Sequence, residues 1–373
     1  MKWKTELFEA DVKIQKFIFV IDAFTKGGAQ KNLQHILPEL IKAGYQVDLV
    51  LLQNSSSELS LVELQTSGVE IHRVNASRMF DLFGFARFLY LLKGGSSAIV
   101  ANLYWSQIWS SIYSLFRPRN KLTWVEHNTY LDRSKMQWLV FRFLSRRAKV
   151  LLAVSKEIEE FIADKVFCCT RLVNNAAISY FEREVTSTEN PKFLLVGRLV
   201  EQKNPSLALA SFKAAIDKEI IPNNSKLMII GAGPLEERLK RDAIDSGLIS
   251  NLDFLGFIDS YEISRIMSQS HVLIMTSRHE GSPLVRLEAL AHGMAIVTTK
   301  TAGIIGILTQ PGTESLFPGI FVSANNFKAV AQDLGKAIDE SVWSQEAISA
   351  RLNSAINFKP KNVAAKYIDL LDS

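Results

Sequence analysis

The stretch Arg278–Gly293, RHEGSPLVRLEALAHG, directly follows an apolar run, His271–Ser277, HVLIMTS. Strand, Gly-Ser-Pro turn and helical segment in that order make one β–turn–α unit, the repeating block of a parallel α/β sheet. Glu280 falls in the turn and Glu288 on the helix. Pro283 suits a first helical turn, where its missing N–H costs nothing, so the spacing predicts a helix starting near Ser282. The free N–H groups and positive dipole end of that helix attract a phosphate or a carboxylate. Glu288, further along, is expected to reach the same crevice, so that two acids flank one anion site. A capped helix with two solvated glutamates satisfies the same spacing. The preceding strand, the turn chemistry and the small-residue run EALAHG, which lets a helix pack closely on a sheet, agree with one another and favour the site.

The same alternation extends outward in both directions. Toward the N-terminus it gives KFIFVID, QVDLVLL, VEIHRV, AIVANL, KLTWVEH and KVLLAVS as strands, with helix-length segments between most of them. Around the central stretch it gives KFLLVG, KLMIIGAG, LDFLGF, HVLIMTS, AIVTTK and GIFVS. At 373 residues the chain exceeds the size at which one core keeps growing. Two α/β layers are therefore expected: an N-terminal domain over 1–178, a linker over 179–191 where apolar periodicity lapses, and a C-terminal domain over 192–358. Residues 359–373 form a closing helix that can pack back on the first domain.

Several loops at strand ends carry residues suited to anion chemistry. Thr25-Lys26-Gly27-Gly28-Ala29 pairs two glycines at a strand-to-helix turn, where backbone can approach a ligand. Neither a dinucleotide G-x-G-x-x-G nor a Walker lysine pattern is present. Arg198 and Lys203 follow KFLLVG; a planar fork and a compact ammonium can neutralise a diphosphate without a metal, and two solvated loop cations would look the same. Gly231-Ala232-Gly233-Pro234 ends another strand and opens the helix PLEERLKR. His127 ends WVEH, with Asn128 after it and Glu126 beside it, placed either to orient the imidazole or to cap the turn.

Five segments in order, TKGGAQKNLQHILPEL, VGRLVEQKNPSLALASF, IIGAGPLEERLK, LDFLGFIDS and EGSPLVRLEALAHGMAIVTT, resemble the retaining glycosyltransferases of family 4, more tightly in the second half of the chain. The resemblance implies the GT-B fold, two facing doubly wound Rossmann-like domains with a cleft between them. It also implies transfer of a sugar from a nucleoside-diphosphate donor, a UDP-sugar, to an acceptor hydroxyl, with no metal and no other cofactor. On that pattern Arg198 and Lys203 hold the departing diphosphate, and Gly27 and Gly28 lie against the donor phosphates. Glu280 and the loop Gly281, Ser282, Pro283, Leu284 bind sugar and phosphate, and Glu288 binds the ribose diol. Gly231, Gly233 and Pro234 approach the nucleotide, Leu255 edges the base pocket, and His127 contacts the donor sugar. Those same correspondences make His127, Glu280, Arg198 and Lys203 the catalytic set, with no covalent nucleophile and attack on the face the leaving group vacates. The chain departs from the pattern at Thr301–Asn326, TAGIIGILTQPGTESLFPGIFVSANN, where a usual glutamate is missing, and at Asn174-Asn175-Ala176, a loose version of a P-N-G turn. A GT-B-like nucleotide-sugar epimerase or hydrolase is the competing enzyme, and an inactive subunit of a glycan-assembly complex the competing non-enzyme.

The formal charge of +5 is uneven. Between Ser111 and Lys149 nine basic residues face two acids. There QWLVFRFLSRRAK can form a basic amphipathic helix, and the segment 133–149 is a candidate contact for an anionic membrane, or a core helix with a solvated basic face. A lipid-linked saccharide is then the expected acceptor. Nucleic acid is not expected, because no recognition motif accompanies the charge. No run has the length of a membrane span and the N-terminus lacks a signal-peptide core, so a cytoplasmic protein, peripheral on the inner membrane face, is expected. The adjacent Cys168 and Cys169 have neither disulfide partners nor metal-ligand spacing.

Overall fold

The computed structural model describes residues 16–25, 27–54, 58–92, 97–117, 121–127, 133–184, 189–300 and 318–372. The first half runs β1 (Lys16–Ile21), α1 (Gly28–Lys42), β2 (Gln46–Leu51), α2 (Glu58–Thr66), β3 (Glu70–Arg73), α3 (Leu82–Leu91), β4 (Ala98–Asn102) and α4 (Tyr104–Phe116). It continues with β5 (Lys121–Glu126), α5 (Lys135–Leu144), β6 (Val150–Ala153), α6 (Lys156–Ala163) and β7 (Cys169–Leu172). The second half runs β8 (Lys192–Val196), α7 (Pro205–Asp217), β9 (Lys226–Ile230), α8 (Glu236–Asp245), β10 (Leu252–Gly256), α9 (Ser260–Ser268) and β11 (Val272–Met275). It ends with α10 (Leu284–Ala291), β12 (Ala295–Thr299), β13 (Ile320–Ser323), α11 (Phe327–Lys336), α12 (Gln345–Ala355) and α13 (Pro360–Asp372).

All strand pairs are parallel, in two sheets ordered β3-β2-β1-β4-β5-β6-β7 and β10-β9-β8-β11-β12-β13. Parallel strands covered by helices on both faces bury both sides, which is why VLIM in β11 and AIVTT in β12 are wholly buried runs without alternation. This is the two-domain α/β architecture of the GT-B fold. The short edge strand β7, CTRL, escapes sequence patterning because it alternates between exposed and half-buried residues.

Each sheet reverses its winding once, between β1 and β4 in the first and between β8 and β11 in the second. Ligands of doubly wound sheets bind outside the carboxyl ends of the strands at such switch points. The loops carrying Gly27, Arg198, Lys203 and Glu280 lie at these two points, and His127 follows the neighbouring strand β5.

The two halves are tied at Asn175. Its Nδ2 donates to the Ser282 carbonyl at 3.1 Å, and the next residue's N–H donates to Asn32 Oδ1 of α1 at 2.7 Å. The loosely matching turn of the sequence is thus an inter-domain staple. Helix α13 crosses back to the first domain, burying Val363, Ala364, Tyr367 and Leu371 in the core under α1. Linker residues 185–188, Lys26, Asn128 and the divergent segment 301–317 lie outside the described residues.

Candidate functional site: the carboxyl edges of the two sheets

Helix α10 starts at Leu284, two residues later than the spacing suggested. Pro283 is the N-cap, with φ −68° and ψ 118°. A residue before proline is driven from the α region, so Ser282 cannot enter the helix and Gly281–Pro283 remain a loop. Glu280, in that loop, is buried and pairs with the Lys203 ammonium, and Ser277 Oγ donates to its Oε1 at 2.6 Å. Lys203, Glu280 and the exposed Arg198 line one narrow crevice together with Gly197, Thr276 and Ser277. The Arg198 guanidinium takes no partner among the described residues, so a forked cation stands ready beside a paired one.

Two further glycines are explained by packing of loop on loop. Gly231 has φ +130°, and a Cβ there would stand 1.9 Å from the Gly197 carbonyl oxygen; at Gly233 it would stand 2.4 Å from that of Leu199. The Cβ directions of both glycines are thus filled by the Arg198 loop, which Leu199 anchors by donating its N–H to the Ala232 carbonyl at 3.0 Å. Pro234 lies just ahead of α8, which opens at Glu236. Leu255 is partly exposed on β10. Across the cleft, Gly28 begins α1 with open space where a side chain would be, whereas a Cβ on Gly27 would meet Gln30 Oε1 at 2.5 Å.

Glu288 does not share the Glu280 crevice. It lies on a separate inter-domain crevice with His35, Tyr180, Ser264 and His292, paired with Lys31 of α1 at 2.5 Å. The later helix start and the four residues of α10 that precede Glu288 turn it toward the domain seam. The two acids of α10 and its preceding loop thus line adjoining crevices. Arg286, on the same helix, is fully buried; desolvation lowers its guanidinium to about 10, against the favourable fields of Glu157 and Glu280.

His127 ends β5 in a buried pocket whose desolvation lowers its imidazole to about 4, so the ring is neutral at physiological pH. Its Nε2 lies 3.2 Å from Asn102 Oδ1 at the end of β4. Glu126 accepts the His127 main-chain N–H at 3.2 Å and pairs with Arg133 at 3.0 Å. Beside them Asp22 accepts the N–H groups of Trp105 and Ser106 at the start of α4, at 3.2 and 2.8 Å; burial raises its carboxyl above the ordinary range. Sequence reading missed Asn102 and Lys31, and it marked Asn175 only as part of a turn. The one available signal was Asn102's place, a lone amide at the carboxyl end of an otherwise apolar strand.

The expected helix over Gln137–Lys149 ends at Leu144, followed by a 3-10 turn. Arg133 is buried under the rings of Phe141 and Tyr104, at 4.0 and 4.8 Å, and Arg147 donates to the Ser114 carbonyl at 2.7 Å. Lys135, Arg146 and Lys149 remain exposed beside Met136, Leu139 and Phe143. No described helix is long and apolar enough to cross a membrane. The one described cluster of metal-ligand type, Asp48, Glu70 and His72, sits on the β2–β3 pair with Lys16 2.7 Å from Asp48.

Loops carrying cationic and acidic side chains at the carboxyl edges of two doubly wound sheets are the arrangement of a GT-B protein. The family model for glycosyl transferases group 1 matches residues 177–353, and that for glycosyltransferase family 4 matches residues 26–175. Together they span most of the chain, and the protein belongs to this glycosyltransferase family. It is 23% identical to the amylovoran biosynthesis glycosyltransferase AmsD of Erwinia amylovora, over 96% of this chain and 99% of that one. It is 30% identical to an Escherichia coli UDP-Gal:alpha-D-GlcNAc-diphosphoundecaprenol alpha-1,3-galactosyltransferase, over 44% of this chain. The match spans 41% of that relative's length and 39% of that of a Methanocaldococcus jannaschii glycosyltransferase, about two fifths in each case. A crystal structure of Anabaena HepE in complex with UDP superposes with a TM-score of 0.79 at 16% identity, covering 95% of this chain and 99% of that one.

Proposed function

We propose that the protein is a retaining glycosyltransferase that moves a sugar from a UDP-sugar to a hydroxyl of a lipid-linked saccharide during polysaccharide assembly. The observation that carries this is the crevice where the exposed Arg198 fork, without a partner among the described residues, stands beside Lys203 and the buried Glu280, at the switch point of the second sheet. Arg198 and Lys203 hold the diphosphate and stabilise the charge that grows on it as the glycosidic bond breaks, the electrostatic contribution that commonly dominates catalysis. Glu280 and the N–H groups that open α10 hold the sugar hydroxyls, Glu288 reaches the ribose, and the acceptor proton passes to the leaving phosphate. Support for UDP comes from the HepE complexes with UDP and with UDP-glucose, and for the acceptor from the E. coli relative named for a diphosphoundecaprenol-linked sugar. No metal enters this scheme.

The test is a screen of isotope-labelled nucleotide sugars against lipid-linked acceptors, with the product anomer read by NMR. A disaccharide product with the donor's α configuration is expected. Inversion, free sugar or an epimerised nucleotide sugar as the main product would overturn the reading.

We further propose peripheral attachment to the inner, anionic membrane face through α5, whose exposed Met136, Leu139 and Phe143 lie among Lys135, Arg146 and Lys149. Each such cation contributes about 1 kcal/mol near an anionic surface. Charge reversal at these three positions is expected to abolish sedimentation with anionic vesicles and to leave turnover on a short soluble acceptor intact. Equal pelleting with anionic and neutral vesicles would end this part of the reading.

A further inference from the structure

Asn102 occupies the carboxyl end of β4, at the switch point of the first sheet, fully buried. Its amide can point only one way. Nδ2 donates to the carbonyls of Val100 at 3.2 Å and Val20 at 3.5 Å, and a flipped amide would set Oδ1 against those two oxygens. Oδ1 therefore faces the His127 ring, 3.2 Å from Nε2, and an oxygen acceptor there requires Nε2 to carry the proton. The other ring nitrogen, Nδ1, has no partner among the described residues.

The backbone around Asn102 is held as firmly as its side chain. Leu103 has φ +71° and ψ 172°, a conformation that costs a non-glycine residue about 1–3 kcal/mol and persists only where its surroundings enforce it. The enforcement is visible in Asp22, which captures the first N–H groups of α4 and pulls the chain into that sharp turn directly after Asn102. The charged groups around the ring are otherwise engaged: Glu126 with Arg133 and the His127 main chain, Asp22 with Ser106 and Trp105.

We propose that Asn102 is a positioning residue that fixes His127 as the neutral Nε2–H tautomer, so that Nδ1 serves as a hydrogen-bond acceptor for a hydroxyl of the bound sugar. The ring then selects a donor substrate that presents an O–H, and it neither gives nor takes a net proton. The neutral state is the one that burial enforces. This inference rests on the reading of His127 as a substrate contact, and the experiment separates the two.

Long-range nitrogen–proton NMR spectra of the full chain with 15N-labelled imidazoles report the tautomer, with the His127 signals assigned by their loss in His127→Gln. Wild type is expected to show Nε2 protonated and Nδ1 bare. Asn102→Ala is expected to give a mixture of tautomers and a turnover at least ~10-fold lower, with a smaller change in donor KM. Asn102→Ser, whose hydroxyl can donate to a strand carbonyl and still accept from Nε2, is expected to retain more of the Nε2–H form than alanine and to recover part of that loss; it carries the test if the alanine variant does not fold. A wild-type ring protonated on Nδ1, or a wild-type tautomer and turnover within twofold in Asn102→Ala, would overturn the proposal. Full activity in His127→Gln together with the Nε2–H tautomer would instead remove the reading of His127 as a substrate contact and leave the Asn102 tether as structure alone.

Discussion

The second sheet carries its charges at the open edge, with Arg198 exposed and Lys203 paired to Glu280, whereas the first sheet buries its polar groups at the matching edge and leaves His127 neutral. The glycines divide along the same line. Gly231 and Gly233 are needed because neighbouring loops press against them, and Gly28 faces empty space. On the proposed function, the second lip meets a diphosphate and can keep its cations hydrated until ligand arrives, because their task is to replace water around an anion. The first lip would then meet the sugar through directed hydrogen bonds, which a dry pocket strengthens. A glycine in one place stabilises the fold and in the other leaves room for a guest, although both read as tight turns.

The sharpest way to break this contrast is Gly231→Ala. Its positive φ and the Gly197 carbonyl at 1.9 Å from the new Cβ force a backbone shift, and a loss of about 3 kcal/mol or more in thermal unfolding is expected. Gly28→Ala should leave stability within about 0.5 kcal/mol and weaken UDP binding; normal nucleotide affinity in that variant would end the role given to Gly28.

Arg198→Ala and Lys203→Ala are each expected to lower turnover by ~10-fold to 100-fold. Their melting curves should part company: Arg198 is exposed and its loss silent, while loss of Lys203 strips the buried Glu280 of its cation and should lower Tm. Turnover within twofold of wild type for both would return them to ordinary loop cations.

A smaller effect tests the buried lip. The His127 imidazole is lowered from 6.5 to about 4 in the folded protein, so the unfolded chain binds its proton first as pH falls. Its contribution to stability is complete above pH 6.5 and drains away toward pH 4, amounting to about 1 kcal/mol lost near pH 5.5. Burial lowers His35 and His292 as well, so the informative quantity is the difference between wild type and His127→Gln in a pH series of denaturant melts. Identical pH slopes would mean that the ring is hydrated and ordinary.

The smallest expected change is none. On the proposed function, UDP affinity measured by calorimetry should be the same with and without EDTA, because Arg198 and Lys203 would offset the diphosphate charge in place of a metal. Binding that collapses on chelation and returns with magnesium would transfer that task from Arg198 and Lys203 to an ion.

Local pattern in the sequence determined the two parallel layers, twelve of the strands and the loops in which Gly28, Arg198, Lys203, Glu280 and His127 sit. Apolar runs, turn residues and helix periodicity are properties of neighbouring residues, and a parallel sheet puts every following loop at one edge whatever the strand order. What the tertiary structure alone decided was which residues meet there. Lys31 reaches Glu288 across 257 positions only because the domains close on each other, and Asn102 reaches His127 only because β4 and β5 lie side by side. A helix opening at the Gly-Ser-Pro turn was legible, though it begins at Leu284 and not near Ser282, and the direction in which Glu288 points depends on where that helix packs. Hydrogen-bond partners follow from sheet order and domain closure, which no stretch of sequence carries within itself.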